Sequence, residues 1–376
     1  MKNNRRDFIK AGLLGGVAAA TFPVIAKSEA AKQSTMSGVG GPLDILVLGG
    51  TGFIGPHMVR EALRKGHSVT LFNRGRTNNT LFPDLETIKG DRDGGLDGLK
   101  DRKWDAVIDN SGYVPRHVQD SARLLSDNVG FYLFISSVSV YKDFKQPNHE
   151  DSPLATIEDE TIEQVTGETY GALKALCEQR ARSEIGDDRY CVLRPTYIAG
   201  PGDHTDRFSY WPIRTAKGGE MLWPGSPKHL VQVVDVRDLA NFTIHCVEQR
   251  VAGVYNTVNL EGAYNMGKLL EDSQAVTGTT VDPVWVDEEF IAEHEVGANR
   301  GLPVWHPQAG ADAANFATSG ARARAAGMHN RPERETARDM LTWWNTLPEE
   351  RTSKPRAGLS AEREAELIEL WKASRS

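Results

Sequence analysis

The chain reads as an α/β protein, a doubly wound parallel sheet with a smaller C-terminal lobe, and three observations predict this. Apolar strand-like runs alternate with helical patterns from Leu43 to about Gly200. The first of these runs, Leu43-Asp-Ile-Leu-Val-Leu48, passes directly into a glycine turn and then a helix. Beyond Gly200 the pattern breaks, and aromatics, prolines and glycines gather in loop-like stretches such as Phe208-Ser-Tyr-Trp211 and Gly218 to Gly225. A chain of 376 residues is long enough for one large core and an appended lobe.

The turn after the first strand is Gly49-Gly-Thr-Gly-Phe-Ile-Gly55, and a helical pattern through Met58, Val59, Ala62 and Leu63 follows it. Gly49, Gly52 and Gly55 let the backbone turn sharply and approach a pyrophosphate, whose charge the free amides and dipole of a helix N-terminus favour. Thr51, Phe53 and Ile54 complete this loop. A second strand, Ser68-Val-Thr-Leu-Phe72, follows the turn Lys65-Gly66-His67 and ends at Asn73, Arg74 and Arg76. Strand, glycine turn, helix and strand in this order predict nucleotide binding.

Further along, Gly167-Glu-Thr-Tyr-Gly-Ala-Leu-Lys-Ala-Leu-Cys-Glu178 reads as helix, which places Tyr170 and Lys174 one turn apart on one face. A nearby cation stabilises phenolate, and a phenol with an ordinary pKa of about 10 needs such help to accept a proton at neutral pH. Upstream, Phe131 to Val140 reads as a strand ending in hydroxyls, among them Ser137.

With these motifs the chain resembles the extended short-chain dehydrogenase/reductase family, of the NAD-dependent epimerase/dehydratase type, from about Leu43 to Gly262. Three further stretches carry the likeness: Gly90-Asp91-Arg92, Leu193-Arg194-Pro195 running to Gly200-Pro-Gly-Asp203, and Val231 to Ala240 with Asp235 and Asp238. The resemblance implies a Rossmann-like domain over residues 43–200, with 230–260 returning to it, and a substrate lobe from 201–229 and 261–376. It implies Ser137, Tyr170 and Lys174 as the catalytic trio. Asp91 is expected at the cofactor's adenine, Ser111 and Gly112 along its middle and Lys174 at its nicotinamide ribose, with Arg92, Pro195 and Thr196 as further cofactor contacts. Members that use NAD usually carry an acid where Asn73 stands here; with Arg74 beside it, NADP is favoured over NAD. Dehydratases carry an acidic pair where this chain has Val138 and Ser139, which disfavours dehydration. The expected substrate is a sugar, glycoside or polyol with a secondary alcohol, contacted by Tyr113, Ser139, Arg207, Tyr210 and Trp211, with Asp206 and Arg214 as further polar candidates. The chemistry is epimerisation or simple dehydrogenation.

The N-terminus bears on where that chemistry takes place. Asn3-Asn-Arg5-Arg6-Asp-Phe-Ile-Lys10 and the weakly apolar run Ala11 to Ala26 look like a twin-arginine export signal, cleaved after Ala30 or Ala26, with a leader to residue 42. The run is too short for a typical membrane span, so no stable anchor is expected. A periplasmic location, export machinery as the precursor's partner, and a tightly retained cofactor follow as expectations. Residues 1–30 carry +3 of the net −7, leaving −10 for the remainder. That charge disfavours nucleic acid, although the Asn-Arg-Gly and Gly-Asp-Arg-Asp stretches also resemble plant plastid relatives described as stem-loop RNA-binding. Three cysteines and ten scattered histidines show no metal-ligand spacing, so no metal is expected. The oligomeric state is left open.

Overall fold

The computed structural model describes residues 41–297 and 301–376, and the expected export signal with its leader to residue 40 lies outside the described residues. The first half runs β1 (Asp44–Leu48), α1 (Gly55–Arg64), β2 (Ser68–Asn73), β3 (Thr87–Lys89), β4 (Trp104–Asp109), α2 (Pro115–Leu125), β5 (Val129–Ile135), α3 (Tyr170–Ile185) and β6 (Tyr190–Pro195). The chain continues through β7 (Tyr197–Ala199), α4 (Tyr210–Thr215), β8 (Gly219–Pro224), β9 (Val233–Asp235), α5 (Val236–Gln249), β10 (Gly253–Thr257), α6 (Met266–Thr277) and β11 (Val281–Val286). Five helices close it: α7 (Glu288–Glu293), α8 (Ala321–Ala325), α9 (Glu333–Trp344), α10 (Glu349–Thr352) and α11 (Ala361–Ser374).

Seven strands form one sheet in the order β3-β2-β1-β4-β5-β6-β10, and every pair is parallel. Crossover helices cover both faces of such a sheet, which is why its strands are apolar throughout instead of alternating. Ile45, Leu46, Val47 and Leu48 are all fully buried. Ile45 and Val47 pack with Met58 and Val59 of α1 and Leu239 and Ile244 of α5 on one face. Leu46 and Leu48 pack with Val118 and Ala122 of α2 and Cys177 and Ala181 of α3 on the other. The chain order reverses between β1 and β4, the place where doubly wound sheets open a crevice at their strand ends. Among the described residues the cysteines are buried and unpaired.

A second hydrophobic cluster gathers around the parallel pair β8 and β11. Trp211, Trp223 and Trp305 are buried there, with the Trp211 and Trp223 rings 4.5 Å apart. Helix α11 closes this cluster: Ser360 caps it by accepting from the Arg363 amide, and Leu367 and Ile368 bury against the cluster.

Three local expectations shift. Strand β5 ends at Ile135, and Val138–Val140 forms a single 3₁₀ turn capped by Ser137, whose Oγ accepts from the Ser139 amide. Hydroxyls that compete for backbone partners favour such turns over strand continuation. The helix bearing the Tyr-Lys pair begins at Tyr170, three residues later than the pattern suggests. Finally, Ala323 and Met328 bury in the sheet's own cluster, so residues near α8 return to the large domain instead of joining the smaller lobe.

Candidate active site

The strand ends at the reversal point open into one cavity of about 1480 Å³. Ligand pockets commonly run to about 300–1,000 Å³, so this one has room for two molecules side by side. The loop after β1 forms one wall. Gly49 has φ +90°, and a Cβ there would lie 2.7 Å from Ser111 Cβ. A Cβ at Gly55 would lie 2.5 Å from the Gly49 carbonyl oxygen, so the loop can fold onto the start of α1 only with glycine at that position. At Gly52 the same direction is open space within the cavity wall. Among the described residues, the amides of Gly52, Phe53 and Ile54 donate no hydrogen bond, as expected of an uncapped helix start. Asn110 Nδ2 and Ser136 Oγ also line the cavity, buried and unpartnered. A cradle without Cβ atoms, free amides and two orphaned polar groups fit a dinucleotide with its pyrophosphate on the α1 terminus.

The expected cofactor residues fall into two groups. Thr51, Gly52, Phe53, Ile54, Asn73, Arg74, Asp91 and Ser111 line the cavity, as do Pro195 and Thr196. Asn73 Oδ1 accepts from the Gly75 amide, curling the loop so that Arg74 and Arg76 stand exposed on the cavity rim. Gly55 and Gly112 do not line the space. A Cβ at Gly112 would meet Phe134 and Val118 at 2.6 Å, and the Gly112 carbonyl accepts a hydrogen bond from Lys174. Arg92 touches the cavity, but its guanidinium is committed elsewhere, paired in a bidentate manner with Asp109 (2.6 and 2.8 Å) and donating to Ser121. The Tyr132 hydroxyl also donates to Asp109. This buried network fixes the end of β4 beneath the site and leaves Arg92 Nε as the guanidinium nitrogen without a partner among the described residues.

Tyr170 opens α3, and Gly171 lets that helix approach the Ser137–Val140 turn, its Cβ position lying 2.1 Å from the Ser139 carbonyl oxygen. The Ser137 hydroxyl donates to Ser139 Oγ at 3.1 Å and stands near enough to the Tyr170 phenol to oppose its rise in pKa. Lys174 is buried, donating to the carbonyls of Gly112 and Ile135 at 2.7 Å each, with its ammonium 4.0 Å from the Phe134 ring centre. Tyr113 spans the pair, its ring 6.4 Å from that of Tyr170 and 5.3 Å from the ammonium. Desolvation pushes Tyr170 up to about 12, with a smaller push from Tyr113, against the opposing influence of Ser137 and the charge of Arg207. Burial likewise pulls Lys174 down to about 8. Burial, and not the Lys174 ammonium, sets the direction of the Tyr170 shift, because that ammonium is held by the carbonyls of Gly112 and Ile135.

Of the expected substrate contacts, Tyr113, Ser139 and Arg207 line the cavity. Tyr210 and Trp211 do not. Both are buried in the second cluster, and Trp211 Nε1 donates to the Pro303 carbonyl at 2.9 Å. Asp206 and Arg214 are also structural: Asp206 accepts from Arg351 and the Arg356 amide, and Arg214 holds Glu364 and two carbonyls. Sequence reading missed Asn110, Ser136, Tyr197 and His306, whose place in the wall depends on chain segments far apart.

Fold and glycine cradle define a Rossmann-like protein whose cleft also holds Tyr170 and Lys174. The model of the NAD dependent epimerase/dehydratase family matches residues 45–133 and 122–267, and the chain belongs to that family. A UDP-glucose 4-epimerase of Lactobacillus helveticus is 26% identical over 285 residues, 64% of this chain and 83% of that protein. The chloroplast stem-loop binding protein of 41 kDa b of Arabidopsis thaliana is 26% identical over 213 residues, 52% of this chain and 53%, about half, of its own length. The Bordetella bronchiseptica enzyme WbmH in complex with NAD+ has the same fold, with a TM-score of 0.61 at 17% identity over 82% of this chain and 99% of that one.

Proposed function

We propose that the protein is an NAD(P)-dependent epimerase or oxidoreductase acting on a secondary alcohol of a sugar, glycoside or polyol. The observation that carries this reading is that Tyr170, Ser137 and Lys174 line the same cavity as the glycine loop. A bound nicotinamide dinucleotide would supply the hydride acceptor and donor. The loop Gly49–Ile54 would hold its pyrophosphate, and Asn110 and Ser136 offer polar partners nearby. Tyr170 Oη gives a proton to a carbonyl oxygen as that carbon is reduced, and takes it back as the alcohol is oxidised. Ser137 positions the oxygen. Lys174, fixed by two carbonyls, has one N–H left to direct into the cavity. Exposed Arg74 and Arg76 on the rim, with Asn73 in place of an acid, favour NADP.

In this reading the N-terminal segment exports a folded protein, and outside the cytoplasm there is no cofactor pool to exchange with. The reaction is then redox-neutral on a retained cofactor, as epimerisation is. Protein from the exported fraction should carry nicotinamide dinucleotide through gel filtration and turn over without added cofactor. An empty protein that consumes free cofactor and accumulates its reduced form would replace this with an ordinary dehydrogenase. The Arabidopsis relative's name suggests RNA binding instead; the acidic balance and the Tyr170–Ser137 pair favour the enzyme, and a gel shift with stem-loop RNA separates the two.

A further inference from the structure

The cavity wall contributed after Pro195 contains Arg207 and Arg356 and no carboxylate, in a chain of net charge −7. Arg207 is built into place. Its Nε donates to Thr205 Oγ1 at 3.0 Å, and that hydroxyl donates to the buried Asp203 at 2.6 Å. Its guanidinium lies 4.7 Å from the centre of the Tyr197 ring, and the Tyr197 hydroxyl is fixed by His306 Nε2 at 2.8 Å. Among the described residues Arg207 forms no ion pair, Asp203 being reached only through the Thr205 hydroxyl, and of its guanidinium nitrogens Nε alone donates a hydrogen bond. A partly buried guanidinium held on an aromatic face, with its fork left free, is suited to bidentate capture of a planar or tetrahedral anion.

We propose that the substrate of this site carries an anionic group on the sugar or polyol itself, a carboxylate or a phosphate, and that Arg207 binds it. This rests on the oxidoreductase reading above and narrows its substrate class. Arg207 and Tyr170 line the same cavity, so an anion held by Arg207 shares that space with the phenol. Arg356, anchored by its Nη1 bond to the His204 carbonyl at 3.0 Å, adds a second positive charge to the same wall. Phe53 of the glycine loop stands against His204 of this wall, their ring centres 6.2 Å apart, so the anion on the substrate is told from the cofactor's own phosphates by working with cofactor-loaded protein.

The test is calorimetry on cofactor-loaded protein with three probes: D-glucuronate, D-glucose 6-phosphate and methyl glucoside. At least one anionic probe should bind roughly 10- to 100-fold more tightly than the neutral one, which is the range of a charge-assisted pair. Arg207→Gln should erase that preference while keeping cofactor affinity, and Arg207→Lys should retain part of it. Which anion wins distinguishes carboxylate from phosphate. Should Arg207→Gln not fold, the partial loss in Arg207→Lys and the salt sensitivity of wild-type binding decide the matter. Equal binding of all three probes, or an anion preference that survives in Arg207→Gln, overturns the proposal. Tyr170→Phe should bind the anion as wild type does. An active Tyr170→Phe with an intact anion preference would therefore sink the catalytic reading and leave this one standing.

Discussion

Replacing Gly171 by alanine puts a methyl group where the fold leaves no room for one. The Cβ position lies 2.1 Å from the Ser139 carbonyl oxygen, whereas ordinary contact begins near 3.4 Å, so α3 and the Ser137–Val140 turn must part by about 1.3 Å. The obstructing atom belongs to the backbone and cannot swing aside. Tyr170 stands on one side of this contact and Ser137 on the other, and the separation widens the spacing between them. A misplacement of about 1 Å in a catalytic geometry can cost ~10²-fold in rate. Overpacking of this kind costs about 1–3 kcal/mol of stability. The glycine loop takes no part in the contact. Gly171→Ala should therefore lose about 10²-fold in kcat, melt a few degrees lower, and bind cofactor much as wild type does. The assay is single-turnover hydride transfer beside cofactor calorimetry and a thermal melt. A variant with kcat within about threefold of wild type would mean that the Tyr170–Ser137 spacing does not control the rate.

Three further outcomes follow from the site and the lobe. Lys174 has a folded-state pKa pulled down to about 8 by burial, so the unfolded chain binds more protons between there and about 10.4. Wild type should then gain stability relative to Lys174→Met as pH rises from about 8 to about 10, and chemical denaturation at stepped pH would expose a flat or falling difference. Arg74→Ala should weaken NADP more than NAD by calorimetry, whereas equal losses, or a wild-type preference for NAD, would remove the phosphate-pairing idea. Trp211→Ala should lose about 3–5 kcal/mol of stability with little change in kcat per folded molecule, because the indole is buried in the second cluster. A loss of substrate affinity at unchanged melting temperature would return Trp211 to a binding role.

What could be read in the sequence was what is local. The strand, glycine turn and helix from Leu43 to Leu63 specify their geometry within one short segment. The four-residue spacing of Tyr170 and Lys174 needs only a helix, and the continuous apolar runs needed only a sheet covered on both sides. What could not be read depends on distant partners. How Arg92 is held was not legible, because its pairing with Asp109 and Ser121 is created by the stacking of β4 and α2. Tyr210 and Trp211 looked like sugar-stacking aromatics because aromatic composition does not reveal which face α4 turns to the second cluster. The direction of the Tyr170 shift was not legible for a similar reason. Spacing places a cation nearby, but burial and the carbonyls of Gly112 and Ile135 decide what that cation does.

Whether this cleft performs acid–base chemistry on a substrate oxygen is tested most directly by single-turnover hydride transfer in Tyr170→Phe. The substitution removes one hydroxyl and almost no volume, so the fold and the glycine cradle should be unaffected. Losing the group that exchanges the proton should slow the chemical step by ~10²–10⁴-fold while cofactor affinity stays near that of wild type. A phenylalanine variant that transfers hydride within about tenfold of the wild-type rate would contradict the assignment of Tyr170 as the acid–base residue.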